Sequence, residues 1–308
     1  MKNSVIRSLT GFIYVLVIVG GILGGPYTFG ALFALVTVCC LWEFYGLLNT
    51  HKNLSINRLH HCLGGLILFI ISYQLSVISY QLPVIGYQLP VTGYQLPITD
   101  YRLLVFGFYL LYIVSVLVAE LYAKKSNPVA NLGAIFLGQI YIALPLSLLN
   151  FLAFSGRSYD PTLVLALFVF IWMNDTGAYI IGVKFGKHRL IERISPKKSW
   201  EGFWGGLFFA GLSSLIFANT APSLLVTAHC SLVTAHCSLL TAHCIWLALA
   251  LLVALFSVWG DLVESLIKRN LNIKDSGNAL PGHGGFLDRF DSLLLAVYAV
   301  VFYCCCYG

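Results

Sequence analysis

The sequence predicts an all-α, polytopic integral membrane protein of about nine transmembrane helices with a cytoplasmic N-terminus. Three observations carry that expectation. Hydrophobic residues make up 59% of the chain and charged residues only 10%, with a mean hydropathy of +0.86, far from the balance of a soluble domain. The apolar residues gather into stretches long enough for a hydrocarbon core, which takes roughly 20 residues of helix. Lys and Arg fall almost wholly on alternate connections between those stretches.

In chain order the stretches are about 9–23, 26–46, 62–79, 103–122, 131–154, 161–183, 202–220, 244–267 and 291–307. The opening MKNSVIRSLTG runs into apolar sequence with no short h-region and no small-residue cleavage site, so it reads as a retained first helix. Gly24-Gly25-Pro26 separates the first stretch from the second. With nine spans, the N-terminus and the even-numbered connections share one face. That face collects every Lys and Arg except Arg102 and Arg157, which makes it cytoplasmic and puts the C-terminus outside. The formal net charge of +6 then faces anionic lipid heads and soluble polyanions. Hydropathy excludes a basic, soluble nucleic-acid binder, so nucleic acid is not an expected partner. The nine cysteines contain no CxxC pair, and Cys39, Cys40, Cys304, Cys305 and Cys306 read as small packing residues.

Two regions follow from this layout. Residues 1–160 hold the N-terminal helices and carry a heptad repeat at 72–101, built on SYQLPVI-like units. Residues 161–308 hold the chemistry and carry a second heptad repeat, VTAHCSL, at 226–244. Pro83, Pro90 and Pro97 recur at one phase of the first repeat, which reads as extended or turn-like chain rather than coiled coil. The His-Cys pairs of the second have none of the usual zinc spacings. Near-identity of the units points to tandem duplication, and both repeats are expected in connections away from the basic face.

Ionisable residues inside apolar stretches mark the functional region. Near the end of the eighth stretch, Asp261, Glu264, Ser265 and Lys268 stand at i, i+3, i+4 and i+7 and share one helical face. The loop that follows carries Lys274, Asp275, His283, Gly284 and Gly285, then Asp288, Arg289 and Asp291. Carboxylates among these suit a divalent cation, the glycines let backbone approach a ligand, and Lys268, Arg269, Lys274 and Arg289 suit phosphates. Asp288, after a flexible Gly-Gly, reads as a metal ligand; Asp291 is explained by a helix dipole. His283 suits orientation of a phosphate or carboxylate. Upstream, Asn174 and Asp175 also lie within an apolar stretch. Lys197 and Lys198 form a phosphate-binding candidate before Gly202-x-x-x-Gly206, a close-packing pattern. Gly182, Gly186 and Lys187 do not make a P-loop, because the spacing is one short and His188 replaces Ser or Thr.

Taken together, Ser265-x-Ile267-Lys268-Arg269-x₄-Lys274-Asp275-x-Gly277-x₂-Leu280-Pro281-x-His283-Gly284-Gly285-Phe286-x-Asp288-Arg289-Phe290-Asp291 resembles the signature of the phosphatidate cytidylyltransferases, the CDP-diacylglycerol synthases. The DTGAY, SPKKSWEG and GDLVES stretches resemble that family too, with Ser199 where Thr is the family's residue. The specific resemblance covers about residues 170–295. It implies transfer of a cytidylyl group from CTP to phosphatidate, giving CDP-diacylglycerol and pyrophosphate. It also implies Mg²⁺, with a second cation left open, a homodimer, and membrane lipids around a site that faces the cytoplasm of a bacterial inner membrane. Carried over by position, Asp261 and Asp288 match the family's metal-binding aspartates. Asp261, Asp288, Lys268, Arg269, Lys274 and Arg289 are then the catalytic candidates. Lys197, Lys198, Ser265, His283, Gly284, Gly285 and Asp175 are the substrate-binding ones.

Two other classes would also place charge at a membrane face. A CTP-dependent prenol kinase would lack the long signature. A transporter of a phosphorylated solute would carry charges near mid-membrane in paired half-sequences, whereas here they cluster at helix ends of the C-terminal half. The charge asymmetry yields a direct test of topology. Cysteines introduced at Lys187 and Lys274 are expected to react with an impermeant thiol reagent from the same, cytoplasmic, side. Labelling from opposite faces would break the nine-span arrangement.

Overall fold

A computed structural model describes residues 2–85, 98–154, 158–221, 235–277, 279 and 284–307. The architecture is all-α and polytopic, as expected of a membrane protein. Among the described residues, seven helices are long and apolar enough to cross a membrane, and Leu9–Leu23 and Phe106–Tyr122 are shorter apolar helices. The chain divides into two compact units. The first is Met1–Asp160 with Ser276–Leu287, and the second is Pro161–Asp275 with Asp288–Gly308.

The first unit contains α1 (Lys2–Leu23), α2 (Pro26–Lys52), α3 (Arg58–Ile85), α4 (Ile98–Tyr122), α5 (Pro128–Gly138) and α6 (Leu144–Ala153). Local sequence sets the boundaries. Pro26 opens α2 because its missing N–H is not needed there, after Gly25 at φ 114°, and α2 ends on Asn53 in the left-handed region. Asn127 caps α5 by accepting from the Ala130 N–H at 3.1 Å, ahead of Pro128. Between α5 and α6 the helix widens into a π-turn over Gln139–Ala143, just before Pro145; the wider turn accommodates a residue that cannot donate to the helical ladder. Several polar groups inside this bundle find partners. Gln139 Nε2 donates to Tyr45 Oη at 3.1 Å and to the His61 carbonyl at 2.9 Å, and the Tyr45 hydroxyl donates to the Ile135 carbonyl at 2.9 Å.

The second unit contains α7 (Thr162–Phe185), a hairpin of β1 (Arg189–Ile191) and β2 (Ser195–Ser199), α8 (Trp200–Thr220), α9 (Ala235–Asn270) and α10 (Leu287–Tyr307), whose first residue belongs to the other unit. The strands are antiparallel, with Arg189 opposite Ser199 and Ile191 opposite Ser195. Sequence reasoning missed this hairpin, since each strand is too short and too polar to show alternation. Its turn is seated on a small apolar cluster in which Ile194 packs with Val258 and Leu262. Ser199 then caps α8, accepting from the Gly202 N–H at 3.2 Å. An aromatic group of Phe170, Phe217 and Trp246 joins α7, α8 and α9, with Phe217 and Trp246 stacked 5.4 Å apart.

The repeats are not wholly connections. Residues 72–85 of the first continue α3 past Pro83, and 98–101 open α4, while 86–97 lie outside the described residues. In the second, 235–244 form the first turns of α9 and 226–234 lie outside the described residues. The extended reading overweighted proline. Pro83 stands two residues from the end of α3, and an apolar setting favours internally bonded backbone over extended chain.

The Gly202-x-x-x-Gly206 pattern does what small residues do in membrane helix pairs. A Cβ at Gly202 would stand 2.9 Å from the Ala178 carbonyl, one at Gly205 2.5 Å from Ile181 Cβ, and one at Gly206 would collide with Asn174 Oδ1. Gly206→Val is therefore expected to force α8 from α7 and to lower stability by about 1–3 kcal/mol, the usual cost of overpacking. Thermal unfolding in detergent measures it. An unchanged Tm would contradict the close packing.

Candidate active site

The site lies in the second unit, and two glycine-permitted approaches build it. At Gly260 a Cβ would stand 2.5 Å from the Asp291 carbonyl oxygen and 3.1 Å from Ser292 Cα, so α9 and α10 touch backbone to backbone there. That approach brings Asp291 beside the polar face of α9. One ligand oxygen each from Asp261, Glu264 and Asp291 lies within 4.8 Å of the others. Glu264 is fully buried, and its Oε1 has no hydrogen-bond partner among the described residues. A buried carboxylate oxygen without a donor is costly unless a cation or a proton neutralises the group.

Lysines supply part of that charge. Lys268 Nζ lies 2.5 Å from Glu264 Oε2 and 2.7 Å from Asp288 Oδ1. Lys198 Nζ lies 2.5 Å from Asp261 Oδ2. Ser265, one turn beyond Asp261, donates its hydroxyl to Asp261 Oδ1 at 3.2 Å. The polar stripe read from the spacing of α9 is thus a set of directly interacting groups.

The second approach opens a cavity. α7 and the start of α8 are close at Gly182, Gly186 and Gly202, and a cavity of about 640 Å³ forms beside them. Its walls carry Asn174 and Asp175 from α7, Arg189, Lys197 and Lys198 from the hairpin, and Asp261 from α9. The hairpin is anchored at both ends. Glu201 accepts from the Lys187 N–H at 3.1 Å and the His188 N–H at 3.2 Å, and its carboxylate meets His188 Nδ1 at 2.6 Å. Arg269 Nε donates to the Ile194 carbonyl at 3.3 Å. A concave site with cations on one wall and a carboxylate cluster at its edge can hold a polyphosphate and, with it, a metal ion.

The candidates read from the sequence take up different positions. Asp175, Lys197, Lys198 and Asp261 line the cavity. Lys268 joins Glu264 to Asp288. Arg289 follows Asp288 in the first turn of α10 and is half-buried. Arg269 is directed at the carbonyls of Ile194 and Ile273, so its guanidinium braces the hairpin. Lys274 is exposed and outside the cavity wall. Gly284, at φ 81°, and Gly285 belong to the first unit, and His283 lies outside the described residues. Asp291 is the carboxylate that joins Asp261 and Glu264, although a helix dipole accounts for an acid at that position from sequence alone. Asp288 is one turn earlier, on Lys268. Glu201 was not read as a site residue; its only signal is an acid in the first turn of a helix, which capping explains equally well.

Comparison with known proteins places this geometry in context. A family model described as "Cytidylyltransferase family" matches residues 5–307. A phosphatidate cytidylyltransferase of Staphylococcus epidermidis is 40% identical over 146 residues, 47% of this chain and 49% of that protein. One from Staphylococcus aureus is 39% identical over 147 residues, again 47% and 49%. One from Bacillus subtilis is 34% identical over 192 residues, 62% and 63%. The chain thus spans about half the length of the first relatives it matches.

Proposed function

The chain belongs to the cytidylyltransferase family, and from that premise we propose that it transfers the cytidylyl group of CTP to phosphatidate, giving CDP-diacylglycerol and pyrophosphate. The observation that carries the reading is the convergence of Asp261, Glu264 and Asp291 beside a cavity with Lys197 and Lys198 on its wall. The printed names of the relatives from Staphylococcus and Bacillus support the choice of lipid acceptor.

The reaction is a single displacement at phosphorus. A phosphate oxygen of phosphatidate attacks the α-phosphorus of CTP, the bond from that phosphorus to the bridging oxygen breaks, and pyrophosphate leaves. The lipid phosphate is itself the nucleophile, so the chain needs no covalent one. Its residues hold the two phosphates in line and offset their charge. Lys197, Lys198 and Arg189 border the cavity where a triphosphate would lie. Arg269 and Glu201 keep the hairpin that presents them in place. Arg289 and Lys274 are further candidates for the phosphates, and Asp175 for substrate contact.

The residues present fit a divalent cation, on the evidence of Glu264 Oε1, a buried acceptor with no donor, in a cluster of hard oxygen ligands. Asp261, Glu264 and Asp291 would hold it, with Asp288, the other aspartate matched to the family's metal ligands, held nearby on Lys268. Mg²⁺ bound there supplies charge stabilisation to the α-phosphate and the leaving pyrophosphate. Ser265 keeps Asp261 oriented. The proposal extends to a multi-pass protein of a bacterial inner membrane, with the cavity open to cytoplasmic CTP and to membrane phosphatidate, acting as a homodimer.

Incorporation of labelled CTP into lipid, dependent on added phosphatidate, tests the reaction. Asp261→Asn, Asp288→Asn and Asp291→Asn are each expected to reduce turnover about 10²-fold or more, while inserting and extracting normally. Chelation should stop turnover and Mg²⁺ should restore it. Near wild-type rates in Asp261→Asn would overturn the assignment.

A further inference from the structure

The two lysines of the carboxylate cluster are held differently. Lys268 is fixed between two acids. Its Nζ lies 2.5 Å from Glu264 Oε2 and 2.7 Å from Asp288 Oδ1, and its side chain is 14% exposed. Lys198 meets one acid. Its Nζ lies 2.5 Å from Asp261 Oδ2, and the two side chains are 27% and 33% exposed. A single ion pair that solvent reaches is held weakly, so Lys198 is the lysine that can leave its partner at small cost.

Its surroundings give the ammonium a second place to go. Lys198 and Asp261 both line the cavity of about 640 Å³, with Arg189 and Lys197. The backbone on either side of Lys198 is fixed. It stands in β2, which pairs with β1, and the next residue, Ser199, caps α8 by accepting from the Gly202 N–H at 3.2 Å. A change of partner therefore asks only for rotation of the flexible lysine stem. Asp261 is held at its other oxygen, Oδ1, by the Ser265 hydroxyl at 3.2 Å, so the carboxylate keeps a tie of its own when the lysine turns away.

Asp261 is also one of the three acids whose ligand oxygens lie within 4.8 Å of one another. A cation held by them and the Lys198 ammonium would contest one carboxylate, and like charges at that range repel. Lys198, Asp261, Glu264 and Asp291 all belong to the second unit.

We propose that Lys198 is an exchangeable counter-ion of Asp261: its ammonium neutralises the carboxylate until a divalent cation binds there, and then turns to the phosphates of a nucleotide in the same cavity. Cation and nucleotide then bind cooperatively, because each favours the lysine position that the other needs, and the coupling is the same in both directions. This rests on the reading of the chain as a CTP-dependent transferase.

The test is equilibrium binding to the full-length protein in lipid, with no phosphatidate added. Mn²⁺ alone is titrated and followed by the spin-resonance signal of the free ion. Labelled CTP is then titrated at saturating Mn²⁺. Lys198→Gln is expected to bind Mn²⁺ alone about fivefold tighter or more, and CTP about fivefold weaker or more, within the usual range of coupling between sites. Lys198→Arg, which keeps the charge, should hold Mn²⁺ as the wild type does. Lys197→Gln, at a cavity-wall lysine that is not paired with Asp261 among the described residues, should weaken CTP binding without tightening Mn²⁺. Lys198→Met serves as a second neutral variant should Lys198→Gln not accumulate. Unchanged or weaker Mn²⁺ binding in the neutral variant would overturn the proposal. So would equal tightening in Lys197→Gln, which would mark a general effect of charge, or tighter Mn²⁺ binding with unaltered CTP binding. Should the wild type make no lipid product from CTP and phosphatidate, the reading of the reaction fails separately, and the Mn²⁺ affinities alone decide whether Lys198 contests Asp261.

Discussion

Everything in the second unit answers to one constraint, the presence of carboxylates between helices apolar enough to cross a membrane. Removing an unpaired carboxylate from water costs several kcal/mol even after relaxation. The fold meets that cost with Lys198 on Asp261 and with Lys268 between Glu264 and Asp288. Among the described residues, Glu264 Oε1 has no donor. Replacing such a group by a hydrophobic residue would be easier for stability alone. Beside Asp261 and Asp291, Glu264 adds an oxygen to a cluster that could hold a cation.

The supporting structure follows from keeping those groups together. Glycine at 260 lets α9 and α10 meet at backbone distance, which sets Asp291 against Asp261. Glycines at 202, 205 and 206 draw α8 onto α7 and leave the cavity beside them. The hairpin then brings its cations to the cavity wall and is tied down by Glu201 and Arg269. Each tie uses a polar side chain to satisfy backbone groups of the hairpin, one from the start of α8 and one from the end of α9.

Much of this was legible in the sequence. Hydropathy and the placement of Lys and Arg give an all-α membrane protein, and helical spacing alone puts Asp261, Glu264, Ser265 and Lys268 on one face. Three things were not legible, for physical reasons. Asp291 and Asp288 are three apart at a helix start, and nothing in a sequence separates the acid that faces a neighbouring helix from the one that meets a lysine. The hairpin at Arg189–Ser199 is stabilised by an apolar seat under Ile194 that comes from α9, a long-range fact. Glu43, whose carboxylate accepts from the Phe286 and Leu287 N–H groups, carries no motif, yet a lone acid in the run LWEFYG was the available signal. Proline misled in the first repeat, because in a helix its position relative to the end matters more than its presence.

The central claim is that Asp261, Glu264 and Asp291 share a divalent cation. Anomalous diffraction from crystals grown with Mn²⁺ in place of Mg²⁺ tests it without reliance on turnover. A single strong peak is expected within coordination distance, about 2.0–2.4 Å, of oxygens from Asp261 and Asp291. A peak held by other residues, or none at this cluster while the metal occupies the protein elsewhere, would contradict the account.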